Sequence, residues 1–286
     1  MSAPTNPTVG SWGDLPGLPG SAARRLPRRF VVRLPAPRSR ADPAGDRTAR
    51  PVTNYPAWPP SADGLIELYP RNPAPTLRMN FIAGADGAVT VDGLSGGLHG
   101  PGDKEIFDSL RMVCDALIVA SGTVKAENYD ALRLTPEARA WRRANGLPEY
   151  PLMVVVSRSM DLDWDQLIFS DAPIRPIVLT HRGARAPDHA DLIAVGDDEV
   201  DLAAGVEALH ERGATQLLCE GGPTLFGSMI AADLVDELCL TVAPLLVGGE
   251  AGRISTGPAT DPRRMTLRHV LTLEDMLFLR YVRQGR

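Results

Sequence analysis

Gln216-Leu217-Leu218-Cys219-Glu220-Gly221-Gly222-Pro223-Thr224-Leu225-Phe226-Gly227 reads as a strand, a two-glycine turn and the opening of a helix. A short apolar run bounded by glycines fits a strand covered on both faces. Successive glycines let the backbone approach a ligand without Cβ interference. Pro223 suits the first helical position, where its missing N–H costs nothing. The same unit stands earlier in the chain, where Ala116–Ala120 runs into Ser121-Gly122-Thr123-Val124. Two strand-to-helix turns of this kind place the chain among α/β proteins.

The pattern extends outward from these two units. Strand-like runs occur at Leu77–Ala83, Leu152–Val156, Ile177–Thr180, Leu192–Val195 and Leu238–Leu246. Between them, 103–114, 200–212 and 223–232 carry apolar residues at helical spacing. In the first of these, Ile106, Phe107, Leu110 and Val113 share a face, and Asp103 is placed to cap the helix. Met265–Leu273 and Met276–Val282, joined by Glu274-Asp275, predict a terminal hairpin, which makes the sheet mixed.

Composition narrows the function. The chain has 286 residues, a formal charge of −5 and three cysteines, Cys114, Cys219 and Cys239, too far apart for a Cys-x-x-Cys site. No apolar run reaches the roughly 18 residues of a membrane span. Residues 1–60 hold nine arginines against Asp14, Asp42 and Asp46, together with 12 of the 26 prolines. Such a segment buries too little surface to offset its ordering entropy, so residues 1–65 are expected to be a disordered extension and 66–286 the folded domain. The remaining chain is acidic, which argues against nucleic acid as a partner. A cytoplasmic location is expected, with no membrane partner. The five histidines show no metal-ligand spacing, no Gly-x-Ser-x-Gly elbow is present, and neither glycine turn is a dinucleotide fingerprint or a Walker A loop. No metal site is expected.

Three places can carry chemistry. The turn at Ser121–Val124 presents backbone N–H groups at a helix start, with Thr123 able to cap the helix and to donate to a phosphate oxygen. The turn Glu220–Leu225 does the same. Gly84–Gly102 packs seven glycines into nineteen residues, a loop long enough to be a lid or a binding loop. Each reading has an ordinary counterpart: a plain turn at the first two, a helix cap at Asp103, and a solvated loop histidine at His99.

The segments MNFIAGADGAVTVDGLSG (79–96), GPGDKEIFDSLR (100–111), DALIVASGTVKAE (115–127), PLMVVVSRS (151–159), CEGGPTLFGSMIAADLVDEL (219–238) and APLLVGG (243–249) together resemble the reductase domain of riboflavin biosynthesis, especially its stand-alone actinobacterial pyrimidine reductases. The resemblance runs from Leu77 to the C-terminus. It implies a three-layer dihydrofolate reductase-like α/β fold with a mixed, mostly parallel sheet and an antiparallel C-terminal hairpin. It also implies a homodimer that uses NADPH to reduce 5-amino-6-(5-phosphoribosylamino)uracil to its ribitylamino product.

Position by position, the resemblance puts Thr123, Glu127, Ser157, Arg158, Gly221, Gly222, Thr224 and Leu225 at the cofactor, with Arg158 facing an adenosine 2′-phosphate. It puts Ser95, Arg111, Arg133 and Glu220 at the substrate, the two arginines at its 5-phosphate. Asp103 stands where dihydrofolate reductases bind the pteridine, and there it is expected to hold the substrate or supply a proton. The family's tryptophan after Ser95 is replaced by Gly97, and its first-strand lysine by Arg78 or Asn80. These departures leave two further readings, a dihydrofolate or pterin reductase and an NADPH-binding protein without turnover. A riboflavin role requires a separate deaminase.

Overall fold

Ser61 caps the first helix, α1 (Ala62–Leu68), by accepting from Gly64 N–H, so regular structure starts upstream of residue 66. The computed structural model describes residues 56–59, 61–127, 129–185 and 188–284; positions 1–55 of the expected extension lie outside the described residues.

Strand β1 (Thr76–Gly84) leads through a glycine-rich loop, with a single 3₁₀ turn at Ser95–Leu98, into α2 (Asp103–Val113). The order continues β2 (Ala116–Ala120), α3 (Ser121–Ala126), α4 (Pro136–Ala144), β3 (Leu152–Val156), α5 (Leu167–Ser170), β4 (Ile177–Thr180) and β5 (Asp191–Ala194). Then come α6 (Leu202–Glu211), β6 (Gln216–Cys219), α7 (Pro223–Ala231), β7 (Glu237–Ala243), β8 (Met265–Leu273) and β9 (Met276–Arg283). One sheet holds nine strands in the order β5-β4-β3-β2-β6-β1-β7-β9-β8. Every pairing from β5 to β7 is parallel, and only β7–β9 and β8–β9 are antiparallel. The expected mixed sheet and terminal hairpin are both present.

Each sheet face carries its own apolar core, which makes three layers. Leu65, Ile106, Leu110, Val124 and Ile168, from α1, α2, α3 and α5, pack on one face with Leu117, Val119 and Val155. Leu202, Val206, Leu209, Phe226 and Met229, from α6 and α7, pack on the other with Ile118, Val154 and Leu217. At ~25 cal/mol per Å² of buried apolar surface, these two layers are the main source of stability.

Several local readings change. Gly102, at φ 84°, is the N-cap of α2, and Asp103 is the first helical residue rather than the cap. Only glycine adopts that backbone conformation without strain. Ala120, not Thr123, precedes α3, and Thr123 lies inside that helix. Strand β7 ends at Ala243, leaving Leu245 and Leu246 exposed in the loop beyond.

A buried ion cluster ties α1 to the sheet. Arg78 Nε lies 2.8 Å from Glu237 Oε2, and a terminal nitrogen of Arg280 lies 2.8 Å from Glu237 Oε1. The same arginines donate to carbonyls at the end of α1, Arg280 to Leu68 and Arg78 to Pro70, each at 2.9 Å. Burial opposes the Glu237 charge, but the two arginines prevail and hold its carboxyl at about 2. His269, packed edge-on against Tyr69 at 4.9 Å, is lowered to about 4 by burial and by Arg280.

Candidate active site

Neighbouring strands β2 and β6 send their following helices to opposite faces. Val124 of α3 joins one core, whereas Leu225, Phe226 and Met229 of α7 join the other. A parallel sheet in which adjacent crossovers diverge leaves a crevice at the carboxyl ends of the strands, where such folds bind ligands. Here the crevice is a cleft of about 420 Å³. Asn80, Phe81 and Ile82 of β1 line it together with Ser95, His99, Asp103, Phe107, Arg111, Thr123, Glu127, Tyr129 and Glu220–Pro223.

The Gly221-Gly222 turn forms one wall. Gly221 has φ 121°, which effectively only glycine tolerates. A Cβ on Gly222 would stand 2.7 Å from Thr123 Oγ1, whereas a Cβ on Gly122 would meet nothing within 4 Å. Gly222 therefore packs its backbone closely against Thr123, and Gly221 and Gly222, but not Gly122, line the cleft. The N-terminal turn of α7 begins there, and its first N–H groups carry partial positive charge. Thr224 reaches Thr256, with 3.4 Å between hydroxyl oxygens, and the Leu225 side chain is buried in the core. Leu225 thus offers a ligand only its backbone.

Glu220, next to this turn in the chain, anchors an ionic cluster. Arg111 donates from Nε to Glu220 Oε1 at 2.8 Å and from a terminal nitrogen to Oε2 at 2.7 Å. The Tyr129 hydroxyl donates to the same carboxylate and accepts from Arg111 at 2.7 Å. Phe107 lies beneath the guanidinium, 3.9 Å from ring centroid to Cζ, so this residue belongs to the site rather than to the core its spacing suggests. Burial drives the Glu220 carboxyl upward, against the pull of Arg111. Burial also disfavours the Arg111 charge, which Glu220 sustains. Glu127 Oε1 accepts the Ser95 N–H at 3.0 Å and so fastens the glycine-rich loop across the cleft mouth.

Asp103, at the start of α2, also lines the cleft. Burial raises its carboxyl, while a hydrogen bond with Thr241 and the nearby His99 act the other way. His99 Nε2 lies 3.8 Å from Asp103 Oδ2.

Five of the expected site residues do not line the cleft: Thr224 and Leu225 of α7, and Arg133, Ser157 and Arg158. Arg133 grips Asp171 through Nε at 3.0 Å and borders a separate cavity of about 690 Å³, which shares Arg111 with the cleft. Ser157 and Arg158 follow β3 and do not line the cleft; the Ser157 hydroxyl is buried without a partner, and Arg158 pairs with Glu199 at the surface. Conversely, Phe81, Phe107 and Tyr129 line the cleft although nothing in their local sequence marks them as site residues, and so does Asn80, one of the two candidates for the family's first-strand lysine position.

The mixed α/β sandwich, with a glycine turn and an acid lining one cleft, defines an α/β protein with a ligand-sized crevice at its strand ends. The chain belongs to the RibD C-terminal domain family, which matches residues 75–279. It is 34% identical over 155 residues to the Archaeoglobus fulgidus 2,5-diamino-6-ribosylamino-4(3H)-pyrimidinone 5′-phosphate reductase, covering 51% of this chain and 69% of that protein. The Methanothermobacter thermautotrophicus protein of the same name is 30% identical over 222 residues, covering 74% and 99%. A pyrimidine reductase-like protein from Corynebacterium diphtheriae shares the fold, with a TM-score of 0.67 at 24% identity over 74% of this chain and 93% of that one.

Proposed function

We propose that this protein reduces a ribosylaminopyrimidine 5′-phosphate to its ribitylamino product with NADPH, as a step of riboflavin biosynthesis. The observation that carries the reading is the cleft itself, which brings the Gly221-Gly222 backbone, the Arg111–Glu220 pair and Asp103 into one lining. A dinucleotide pyrophosphate fits the glycine wall, because Gly221 and Gly222 bring backbone without side chains to the cleft and α7 begins there. Thr123 and the backbone of Thr224 and Leu225 extend that wall, and bound NADPH supplies a hydride. Arg158, at the carboxyl end of β3, is the residue suited to a 2′-phosphate, since its guanidinium fork matches phosphate geometry.

On the substrate side, Asp103 and Ser95 meet the sugar and the base, while Glu127 stands with Thr123 on the cofactor side. Arg111, positioned by Glu220 and Tyr129, faces the 5-phosphate from the cleft, and Arg133 faces it from the adjoining cavity. The two pyrimidines at issue, 5-amino-6-(5-phosphoribosylamino)uracil and the 2,5-diamino compound in the relatives' names, differ only at C2. We read the working form as a cytoplasmic homodimer, which sedimentation tests directly.

The deciding experiment follows NADPH oxidation with both pyrimidines and with dihydrofolate in parallel. Turnover of a ribosylaminopyrimidine at ordinary enzyme rates is expected. Oxidation with dihydrofolate alone would replace this reading with a pterin reductase, which the placement of Asp103 also suits. Nucleotide binding with no turnover would leave a binding protein.

A further inference from the structure

We propose that the cavity of about 690 Å³ beside the cleft is a second ligand site, and that it takes an organic cation, a guanidinium or ammonium group on a short apolar body. The site stands apart from the reaction assigned to the cleft and needs neither nucleotide nor pyrimidine. Its size suits a small molecule, since ligand pockets run from ~300 to ~1,000 Å³.

Charge decides the sign of the ligand. Helices α1, α2 and α4 begin around the cavity, and each contributes a carboxylate from its first turn, Asp63, Glu105 and Glu137. None of the three has an ion-pair partner among the described residues. The cations lining the same space are taken: Lys104 by Asp108 at 2.5 Å, Arg111 by Glu220 at 2.7 Å and Arg133 by Asp171 at 2.5 Å. Helix starts offset part of the acidic charge, but only by about half a unit each against three full ones. The remainder is negative and unpaired.

Two further features point inward. Ser109 is 4% exposed, lines the cavity and has no hydrogen-bond partner among the described residues. The other hydroxyls there are occupied, Ser61 by the Gly64 N–H and Thr135 by the Ala138 N–H. A buried hydroxyl without a partner is the exception in proteins, and a ligand N–H supplies what Ser109 lacks. Trp58 and Trp141 line the same space alongside Leu65 and Met112. An indole face attracts a cation more strongly than the other side-chain rings, and the apolar residues match the body of the ligand.

Arg111 belongs to both spaces, so the two are linked. A cation in the cavity balances carboxylates that would otherwise repel an anion on the cleft side of Arg111. Each ligand therefore tightens the other by the same factor. This linkage, in contrast to the site itself, rests on the reading of the cleft as the seat of a substrate phosphate.

The test uses n-butylguanidinium as the probe and n-butylurea as its neutral isostere. Titrated into the full chain, the cation is expected to bind with a Kd below about 1 mM and to shift the indole N–H resonances of Trp58 and Trp141. The urea is expected to do neither. Glu105→Gln and Glu137→Gln should each weaken the cation about threefold, and the double variant about tenfold. Ser109→Ala should also weaken it about threefold, with the melting temperature of every variant near wild type. Absence of saturable binding overturns the proposal, as does equal binding of the urea or unchanged affinity in the double variant. With butylguanidinium bound, the KM for the ribosylaminopyrimidine phosphate is expected to fall about threefold. Binding with an unchanged KM upholds the site and removes the linkage; binding without any turnover upholds the site and removes the reductase reading.

Discussion

Arg111 closes a two-point fork on Glu220, at 2.8 and 2.7 Å, in a site where the Glu220 side chain is only 3% exposed. Neither charge is well solvated, so each depends on the other. Removing one partner of a buried pair strands the survivor, at a cost of about 3–5 kcal/mol. Glu220→Ala is therefore expected to lower the unfolding free energy by about 3 kcal/mol in urea titrations, with loss of substrate turnover. The double variant with Arg111→Ala should lose clearly less than the sum of the singles. Additive losses would show that the pair is independent of its fork.

Acid should destabilise the protein in two steps, set by two groups near the β7–β8 end of the sheet. His269 sits at about 4 in the folded chain against an ordinary 6.5, so its neutral form is the folded one. Its contribution is complete above 6.5 and is lost as pH falls from 6.5 to about 4. That window corresponds to about 3 kcal/mol at most. Glu237, at about 2 against an ordinary 4.5, contributes fully above 4.5 and is lost between 4.5 and about 2. Urea titrations at pH 7, 5 and 3 should resolve both steps. His269→Phe keeps a ring against Tyr69 and should erase the upper step alone.

Gly222 and Thr123 should behave as a coupled pair. A methyl group on Gly222 would lie 2.7 Å from Thr123 Oγ1, closer than real Cβ contacts allow. Gly222→Ala is expected to cost about 2 kcal/mol of stability through overpacking and to raise the KM for NADPH at least tenfold. Shortening the opposing side chain with Thr123→Ala should recover most of the stability and part of the affinity. If Gly222→Ala binds NADPH as wild type does, the nucleotide does not rest on this wall.

The strands and the glycine turns were legible because burial on both faces leaves continuous apolar runs such as Leu117–Val119 and Leu217–Cys219. Helix α4 was missed although Thr135 and Pro136 mark its start, because its body is polar and its key residue is charged. Arg142 is fully buried, donating to the carbonyls of Met112 and Cys114. Phe107 was assigned to the core because a residue beneath a guanidinium has the same helical spacing as one facing the sheet. Tyr129 gave no local signal at all, since its role arises from Arg111 and Glu220, 18 and 91 residues away. The His99–Asp103 pair depends on the turn through Gly100 and Gly102, which sequence spacing does not determine.

The choice between NADPH and NADH should turn on Arg158. Arg158 stands beyond the end of β3 with its guanidinium paired to Glu199, both largely exposed, and contributes nothing to the core. A group held by a neighbouring carboxylate at the surface can change partner at little cost when a dianionic phosphate arrives, because exposed pairs are weak. Arg158→Ala should therefore raise the KM for NADPH roughly tenfold, the loss expected for one charge-assisted contact, while NADH kinetics stay unchanged. Glu199→Gln should act oppositely, because it frees the guanidinium and removes a negative charge from the phosphate's path. Both variants should melt with the wild-type protein. Equal effects on the two nucleotides would move the 2′-phosphate away from β3, and Arg182, paired with Asp197 beyond the end of β4, would become the next arginine to replace.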